Sequence, residues 1–395
     1  MKNNKAIILL YLSGFFRDLQ FFGAVAVPFY LHRVGLDYTS MFLLEAIFSF
    51  FMIIFEVPTG VVADKWGRKI SLFFGSLFFG AGFLLFGIFT SYPVLVMAEI
   101  ICAFGMTLSS GADRALIYEA LKNTHEEDRA VKVMARYDAF SSAAMFLAFP
   151  AGSLFVDSNI LSYKTALGIV FVATAVAIFI SGLIILFIKE PAFEKSTELP
   201  FRQGVDGFLR IIQRPKLRIF SLNYAFISSA TFFMFWYYQS LLMENGLPIA
   251  WLGFVSSAFN LTAMLLLLLA PVVERGLGIK NTLFMSSLIP GILYLLVSLI
   301  PGSAIAMIAI FGITNLKAFR APVLAALMNK EIESSNRATI LSGVSMIERI
   351  ATTLLYPIAG ILTDISLNTA LFVIGIITVI LSVTLRIEQA AIKDG

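Results

Sequence analysis

The sequence is poor in the residues from which soluble enzymes and metal proteins are built. Cysteine occurs once, as Cys102 inside an apolar run, which excludes an intramolecular disulfide and a thiolate metal cluster. Histidine occurs twice, and His32 and His125 fall in predicted loops, which argues against a histidine metal site or a buried histidine proton relay. Charge is scarce: Asp, Glu, Lys and Arg make up 14% of the 395 residues, against about a quarter in soluble domains. Neither a phosphate-binding Gly-x4-Gly-Lys-Ser/Thr nor a Gly-x-Ser-x-Gly is present, so the chain does not read as an ATPase or a serine hydrolase. The segments between apolar runs are too short for a catalytic domain. The expectation is a protein that is not an enzyme and carries no cofactor, with a proton gradient as its energy source.

What the sequence has instead is apolar surface. Hydrophobic residues make up 59%, Phe occurs 39 times, and the mean hydropathy is +0.89. A soluble domain cannot hide that much apolar area, and a disordered chain is poor in aromatics, so the surplus must face lipid. Apolar runs bounded by charge, Pro or Gly predict twelve spanning helices at about 6–31, 39–63, 70–90, 93–121, 131–156, 162–188, 217–242, 249–273, 281–300, 302–328, 336–363 and 367–388. The N-terminal Met-Lys-Asn-Asn-Lys followed by an apolar run has the look of a signal peptide. The run continues past Tyr30 without a small-x-small cleavage site and is read as the first span.

Basic residues set the orientation. With the N-terminus inside, 21 of the 29 Lys and Arg lie on the cytoplasmic side and two, Arg33 and Lys164, lie outside. Both termini are therefore expected in the cytoplasm, and the net charge of +4 needs no nucleic-acid partner. The polar stretch 189–216, with Pro191, Pro200 and Pro215, reads as a linker carrying one surface helix. It divides the chain into two six-helix bundles, 1–188 and 217–395. The halves repeat each other. Arg114-Ala115 with Ala120-Leu121 and Asn123 returns as Arg320-Ala321 with Ala326-Leu327 and Asn329 at an offset of 206. Pro150, Gly152 and Asp157 match Pro357, Ala359 and Asp364 at 207, and Gly35-Leu36 matches Gly246-Leu247 at 211.

Between the second and third spans the sequence reads Gly60-Val61-Val62-Ala63-Asp64-Lys65-Trp66-Gly67-Arg68-Lys69. This resembles the signature loop of the major facilitator superfamily, Gly-x-Leu-Ala-Asp-Arg/Lys-x-Gly-Arg-Arg/Lys, with Val62 the one departure. Its mirror in the second half is degraded to Val272 through Lys280. The resemblance covers helix number, six-plus-six repeat, linker and signature. It implies an all-α polytopic membrane fold of two pseudo-symmetric bundles, similar to the drug and metabolite exporters of the superfamily. It also implies that Gly60, Asp64, Gly67, Arg68 and Lys69 latch the outward-facing state. Physically, Gly60 and Gly67 permit a tight turn, Asp64 suits a helix N-terminus, and Arg68 needs a carboxylate, for which Glu119 is the candidate. The competing reading is that these charges only enforce topology. In the fifth span Phe149-Pro150-Ala151-Gly152 keeps part of the glycine-proline element of exporters, or is a plain proline kink.

Charges within the spans are the candidate site, because each costs about 2.5–3.5 kcal/mol or more at a helix centre unless paired or hydrated. Arg17-Asp18 lies about 15 Å into the first span by helical rise, and Asp18 is the leading protonation site, with a packing ion pair as the alternative. Asp113 and Glu348 are the further coupling candidates. The resemblance implies that spans 1, 4, 7 and 10 line a central cavity. Arg17, Gln20, Arg114, Asn223, Trp236, Tyr237, Lys317 and Arg320 would then surround the substrate. Arg114, Lys317 and Arg320 alternatively snorkel to the inner mouth, and the Trp236-Tyr237-Tyr238-Gln239 cluster alternatively forms an interfacial belt.

These features predict a proton-coupled carrier working by alternating access, exporting a small amphipathic or drug-like solute. Its setting would be the bilayer of a bacterial plasma membrane, and its partners protons and the small molecule, with the chain acting as a monomer. A carrier of an anionic or siderophore-like metabolite and a lysolipid flippase are the alternatives of the same class. A transport-dead receptor or scaffold is the alternative outside it, and the intact signature loop counts against that.

Overall fold

The structure is a computed structural model that describes residues 2–123, 125–190, 200–332 and 337–387. Among the described residues there is helix and turn but no strand. In chain order the helices are α1 (Lys2–Arg17), α2 (Tyr38–Trp66), α3 (Arg68–Ile88), α4 (Tyr92–Ser109), α5 (Ala112–Lys122), α6 (Ala130–Asp157), α7 (Tyr163–Leu186) and α8 (Pro200–Gln213). They continue with α9 (Pro215–Phe232), α10 (Met234–Glu244), α11 (Leu252–Leu268), α12 (Ala270–Leu299), α13 (Ser303–Glu331), α14 (Arg337–Ile365) and α15 (Leu367–Thr384). Short helical pieces also occupy Ala26–Pro28 and Phe29–Val34, the latter a π-helical turn.

Among the described residues eleven helical segments are long and apolar enough to cross a membrane. The first predicted span is not among them because it is broken. α1 ends at Arg17, turns and bends fill 18–25, and helix resumes at Ala26. The fourth span is interrupted too, at Ser110-Gly111, where Gly111 takes φ 76° between α4 and α5. The seventh is divided between α9 and α10. With these interruptions the twelve predicted spans all find helical counterparts. Large apolar side chains point outward all along them, Leu183 at 55%, Leu354 at 66% and Ile365 at 68% exposed. Such surface is stable only against lipid, so the chain is an integral membrane protein.

The chain forms two compact units. One comprises Met1–Gly35, Ile47–Pro200 and Ile249–Ser257, the other Leu36–Ala46, Phe201–Pro248 and Ala258–Gly395. Inside the first, α3 packs on α4 and α7, and α1 on α6 and α7. Inside the second, α12 packs on α13 and α15, and α9 on α13 and α14. The internal repeat is also present in the backbone. Gly35 and Gly246, 211 positions apart, take φ 84° and 80°. Gly67 and Gly278, also 211 apart, take φ 100°, ψ 157° and φ 74°, ψ 152°. All four sit in left-handed or mirror-extended regions that a side chain disfavours, so a glycine is needed at each. The degraded second copy of the signature loop thus keeps the backbone turn although Gly276 and Ile279 replace Lys65 and Arg68 and Arg275 stands in place of Asp64.

Candidate functional site

The break in the first span places charge at helix ends. Arg17 closes the last turn of α1, and Asp113 opens the first turn of α5, so each charge complements the dipole of its own helix. The two meet. Arg17 Nη1 donates to Asp113 Oδ2 at 3.1 Å, while Nη2 and Nε donate to the two oxygens of Asp18 at 3.2 and 3.3 Å. Tyr137 of α6 donates its hydroxyl to Asp113 Oδ2 at 3.0 Å, and the guanidinium carbon stands 5.8 Å from the centre of the Tyr137 ring. The side chains are 22% (Arg17), 10% (Asp18) and 13% (Asp113) exposed. Two carboxylates share one cation, leaving one negative charge over. A small polar cavity of about 10 Å³, measured to the centre of a water molecule and so large enough for one water, adjoins the cluster. Ser13, Ser76, Ser109 and Ser181 line it together with Arg17, Asp113 and Tyr137.

The break itself is held from α6. A Cβ added to Gly152 would lie 1.9 Å from the Phe21 carbonyl oxygen, and one on Gly23 would lie 2.3 Å from the Phe149 ring. The Phe149-Pro150-Ala151-Gly152 element therefore cradles the non-helical segment that carries Asp18. Gln20 lies in that segment, half-buried, with its N–H bonded to the Asp18 carbonyl at 2.9 Å.

Arg114 does not join this cluster. It turns to Asp138 of α6, with Nη2 at 3.1 and 3.3 Å from the two carboxylate oxygens, and both side chains are more than half exposed. Adjacent helical residues point about 100° apart, so Asp113 inward sends Arg114 outward.

The second unit holds a different group. Arg320 of α13 is buried and donates from Nη2 to Asn223 Oδ1 of α9, and the Asn223 amide donates in turn to the Leu385 carbonyl at 2.8 Å. Lys317, one turn away, places Nζ 4.4 Å from the centre of the Phe232 ring. Glu348 of α14 faces Lys317, Arg349 and Tyr224. Trp236 and Tyr237, expected on a cavity wall or in an interfacial belt, are instead core residues, 6% and 0% exposed. Tyr237 packs against Phe42 and Phe233 and takes a hydrogen bond from Thr363 Oγ1 at 3.0 Å. Four aromatic rings meeting at this point leave neither residue a free face.

At the signature loop, Arg68 Nε lies 3.5 Å from Glu119 Oε1, the partner expected for it. Gly60 lies within α2, and the Asp64 side chain lies outside the described residues. A residue not anticipated completes the turn. Glu190 accepts from the Lys69 N–H at 3.1 Å, and its Oε1 lies 2.2 Å from where a Gly67 Cβ would stand. Gly67 is thus required both by its φ and by the carboxylate resting on the first turn of α3.

The sequence profile of the Major Facilitator Superfamily matches residues 9–316, more than three quarters of the chain. The chain belongs to the Major Facilitator Superfamily. Among relatives, the uncharacterized MFS-type transporter YxaM of Bacillus subtilis is 26% identical over 384 residues, covering 93% of this chain and 91% of that protein. The quinolone resistance protein NorA of Staphylococcus aureus is 30% identical over 99 residues, about a quarter of each chain. Among solved structures, the nucleoside transporter NupG superposes with a TM-score of 0.81 at 14% identity over 98% of this chain and 99% of that one. A D-xylose-proton symporter gives 0.74 at 13% identity over 96% of each. At such identities the structures establish the superfamily fold. Membership of the family makes this chain a membrane transporter of a small molecule rather than an enzyme.

Tyr137, Asp138, Glu190 and Tyr224 are the site residues that sequence reasoning passed over. Tyr137-Asp138 had a signal, a polar pair inside an apolar span one residue after Arg136, and Ser109-Ser110-Gly111 before Asp113 was a helix stop and restart read through as one helix.

Proposed function

We propose that this superfamily member is a proton-coupled secondary transporter that exports a small amphipathic solute. The observation that carries the reading is the Arg17 guanidinium held between Asp18 and Asp113 at the ends of two interrupted helices. Discontinuous helices whose ends aim charge at one another are where carriers of this kind place their ion and substrate sites. One proton on Asp113 removes the surplus negative charge, weakens the 3.1 Å contact to Arg17 and gives the Tyr137 hydroxyl a protonated oxygen to face. The link between α1 and α5 is then loosened by protonation and restored by proton release, and a side-dependent proton supply turns that into a cycle. The Arg68–Glu119 contact and the Glu190-capped turn act in this reading as the cytoplasmic latch. Export is favoured by the partial likeness to a quinolone resistance protein, and the skewed distribution of Lys and Arg supports cytoplasmic termini in this reading.

The test is flux in proteoliposomes under an imposed pH gradient. The panel spans lipophilic cations, zwitterions and carboxylates, and a pH indicator reads counter-movement of protons. At least one solute should move against its gradient in the wild type, and Asp113→Asn should abolish gradient-driven flux. A protein that moves nothing across the panel, or an Asp113→Asn variant that still answers the gradient, would overturn the proposal.

A further inference from the structure

Arg320 is the anomaly of the second unit. It is 3% exposed, and Asn223 Oδ1 is its hydrogen-bond partner, while Nε and Nη1 have none among the described residues. The Asn223 amide is held in this sense by its own bond to Leu385, so the contact is not interchangeable with an N–H facing the guanidinium. A buried donor left unmade costs about 1–3 kcal/mol and more for a charged group, so orphaned guanidinium hydrogens call for a partner that the described residues do not supply.

The repeat shows what kind of partner. Arg114, the mate of Arg320 at offset 206, has Asp138 against it. The positions that correspond to Asp138 in the second half are Val344 at offset 206 and Ser345 at 207, and neither carries a charge. Among the described residues the carboxylate facing this cluster is Glu348, which is shared with Lys317, Arg349 and the Tyr224 hydroxyl, while the group facing Arg320 is Tyr224. Among the described residues cations therefore outnumber carboxylates here, the reverse of the Arg17 cluster.

Geometry favours a two-toothed ligand. A guanidinium has five hydrogens, and Asn223 takes one of the two on Nη2. The other Nη2 hydrogen lies alongside either the Nε–H or an Nη1–H, so one complete two-donor edge has no partner among the described residues whichever hydrogen Asn223 takes. That edge matches two oxygens of a carboxylate, sulfonate or phosphate. Phe232, under Lys317, and Tyr224 add aromatic surface nearby. By helical rise Arg320 stands about 16 Å from the last residue of α13, below the depth at which lipid headgroups lie.

We infer that Arg320, backed by Asn223 and flanked by Lys317, is an oxyanion seat, and that the solute carried is an amphipathic acid. The word solute rests on the transporter reading; the seat itself is tested without transport. The full chain in phosphatidylcholine nanodiscs, with no gradient, is titrated with 1-naphthoate and, as a matched cation, 1-naphthylmethylammonium. Naphthoate should bind saturably and at least tenfold tighter than the ammonium, and excess inorganic sulfate should compete with it. Arg320→Lys, which keeps the charge and loses the fork, should weaken naphthoate about tenfold, and Arg320→Gln should abolish its binding. Should Arg320→Gln fail to fold, the wild-type charge preference, sulfate competition and Arg320→Lys still decide. Equal binding of the two probes, no effect of sulfate, or wild-type affinity in Arg320→Lys would each overturn the inference. So would loss of naphthoate binding in discs containing phosphatidylglycerol, because the seat would then belong to a lipid headgroup. A failure of proton-driven flux leaves this outcome untouched, so the two proposals fall separately.

Discussion

Removing Arg17 and neutralising Asp113 should have sharply different consequences, although both break the same 3.1 Å contact. Arg17→Met deletes the cation from the buried Asp18 and the half-buried Asp113, ending contacts at 3.1, 3.2 and 3.3 Å and leaving the two carboxylates as neighbouring like charges. Removing one partner of a buried ion pair costs about 3–5 kcal/mol because the other is left uncompensated. Asp113→Asn leaves Arg17 with both contacts to Asp18, and the amide oxygen still accepts from Tyr137, so the loss is about 1 kcal/mol, that of one hydrogen bond made weaker. The melting midpoint should therefore fall three to five times further for Arg17→Met. The chain carries its own reporter, since Cys102 is the one thiol, is 3% exposed, and becomes reactive to a thiol-specific fluorophore as the helices around it separate. The double variant Arg17→Met with Asp113→Asn should recover part of the loss, a coupling that independent sites would not show. Equal shifts in the two single variants, or no recovery in the double, would mean that the three charges do not act as one group.

Two further outcomes follow from close contacts elsewhere. Gly152→Ala sets a methyl 1.9 Å from the Phe21 carbonyl oxygen, a backbone atom that cannot rotate away, and should cost about 1–3 kcal/mol in the same melting assay. Gly23→Ala, whose nearest neighbour is the rotatable Phe149 ring, should cost less; the reverse order would refute the cradle described for the break. Asp364→Ala removes the carboxylate that accepts from the Tyr38 and Thr39 N–H groups at 2.8 and 2.9 Å and from Thr39 Oγ1 at 2.5 Å. Losing this cap should cost about 0.5–2 kcal/mol and speed hydrogen exchange at the first amides of α2, with Asp364→Asn intermediate. Unchanged exchange there would show the cap to be without weight.

The helices, their lipid-facing character, the two-fold repeat and the turn at Gly67 were legible in the sequence because each depends on local composition or spacing. An apolar run long enough to span a bilayer reads as a span whatever packs against it. The pairing of Arg68 with Glu119 could likewise be drawn from the loop. The break after Arg17 could not, since the turns from 18 to 25 keep bonds such as Gln20 N–H to Asp18 O and Val25 N–H to Phe22 O and interrupt no apolar pattern. What stabilises the break is the α6 backbone and the Phe149 ring, more than a hundred residues away.

The charges divide in the same way. Sequence by itself determined that Arg17, Asp18, Asp113, Arg114, Lys317, Arg320 and Glu348 lie within membrane spans, where the cost of burial demands partners. Which partner each one finds depends on the face that its helix turns to its neighbour, a rotation of about 100° per residue that no count of apolar residues reports. Tertiary structure alone therefore decided that Arg17 is shared by two carboxylates, that Arg114 looks outward to Asp138, and that Arg320 is buried with two of its three nitrogens unpartnered among the described residues.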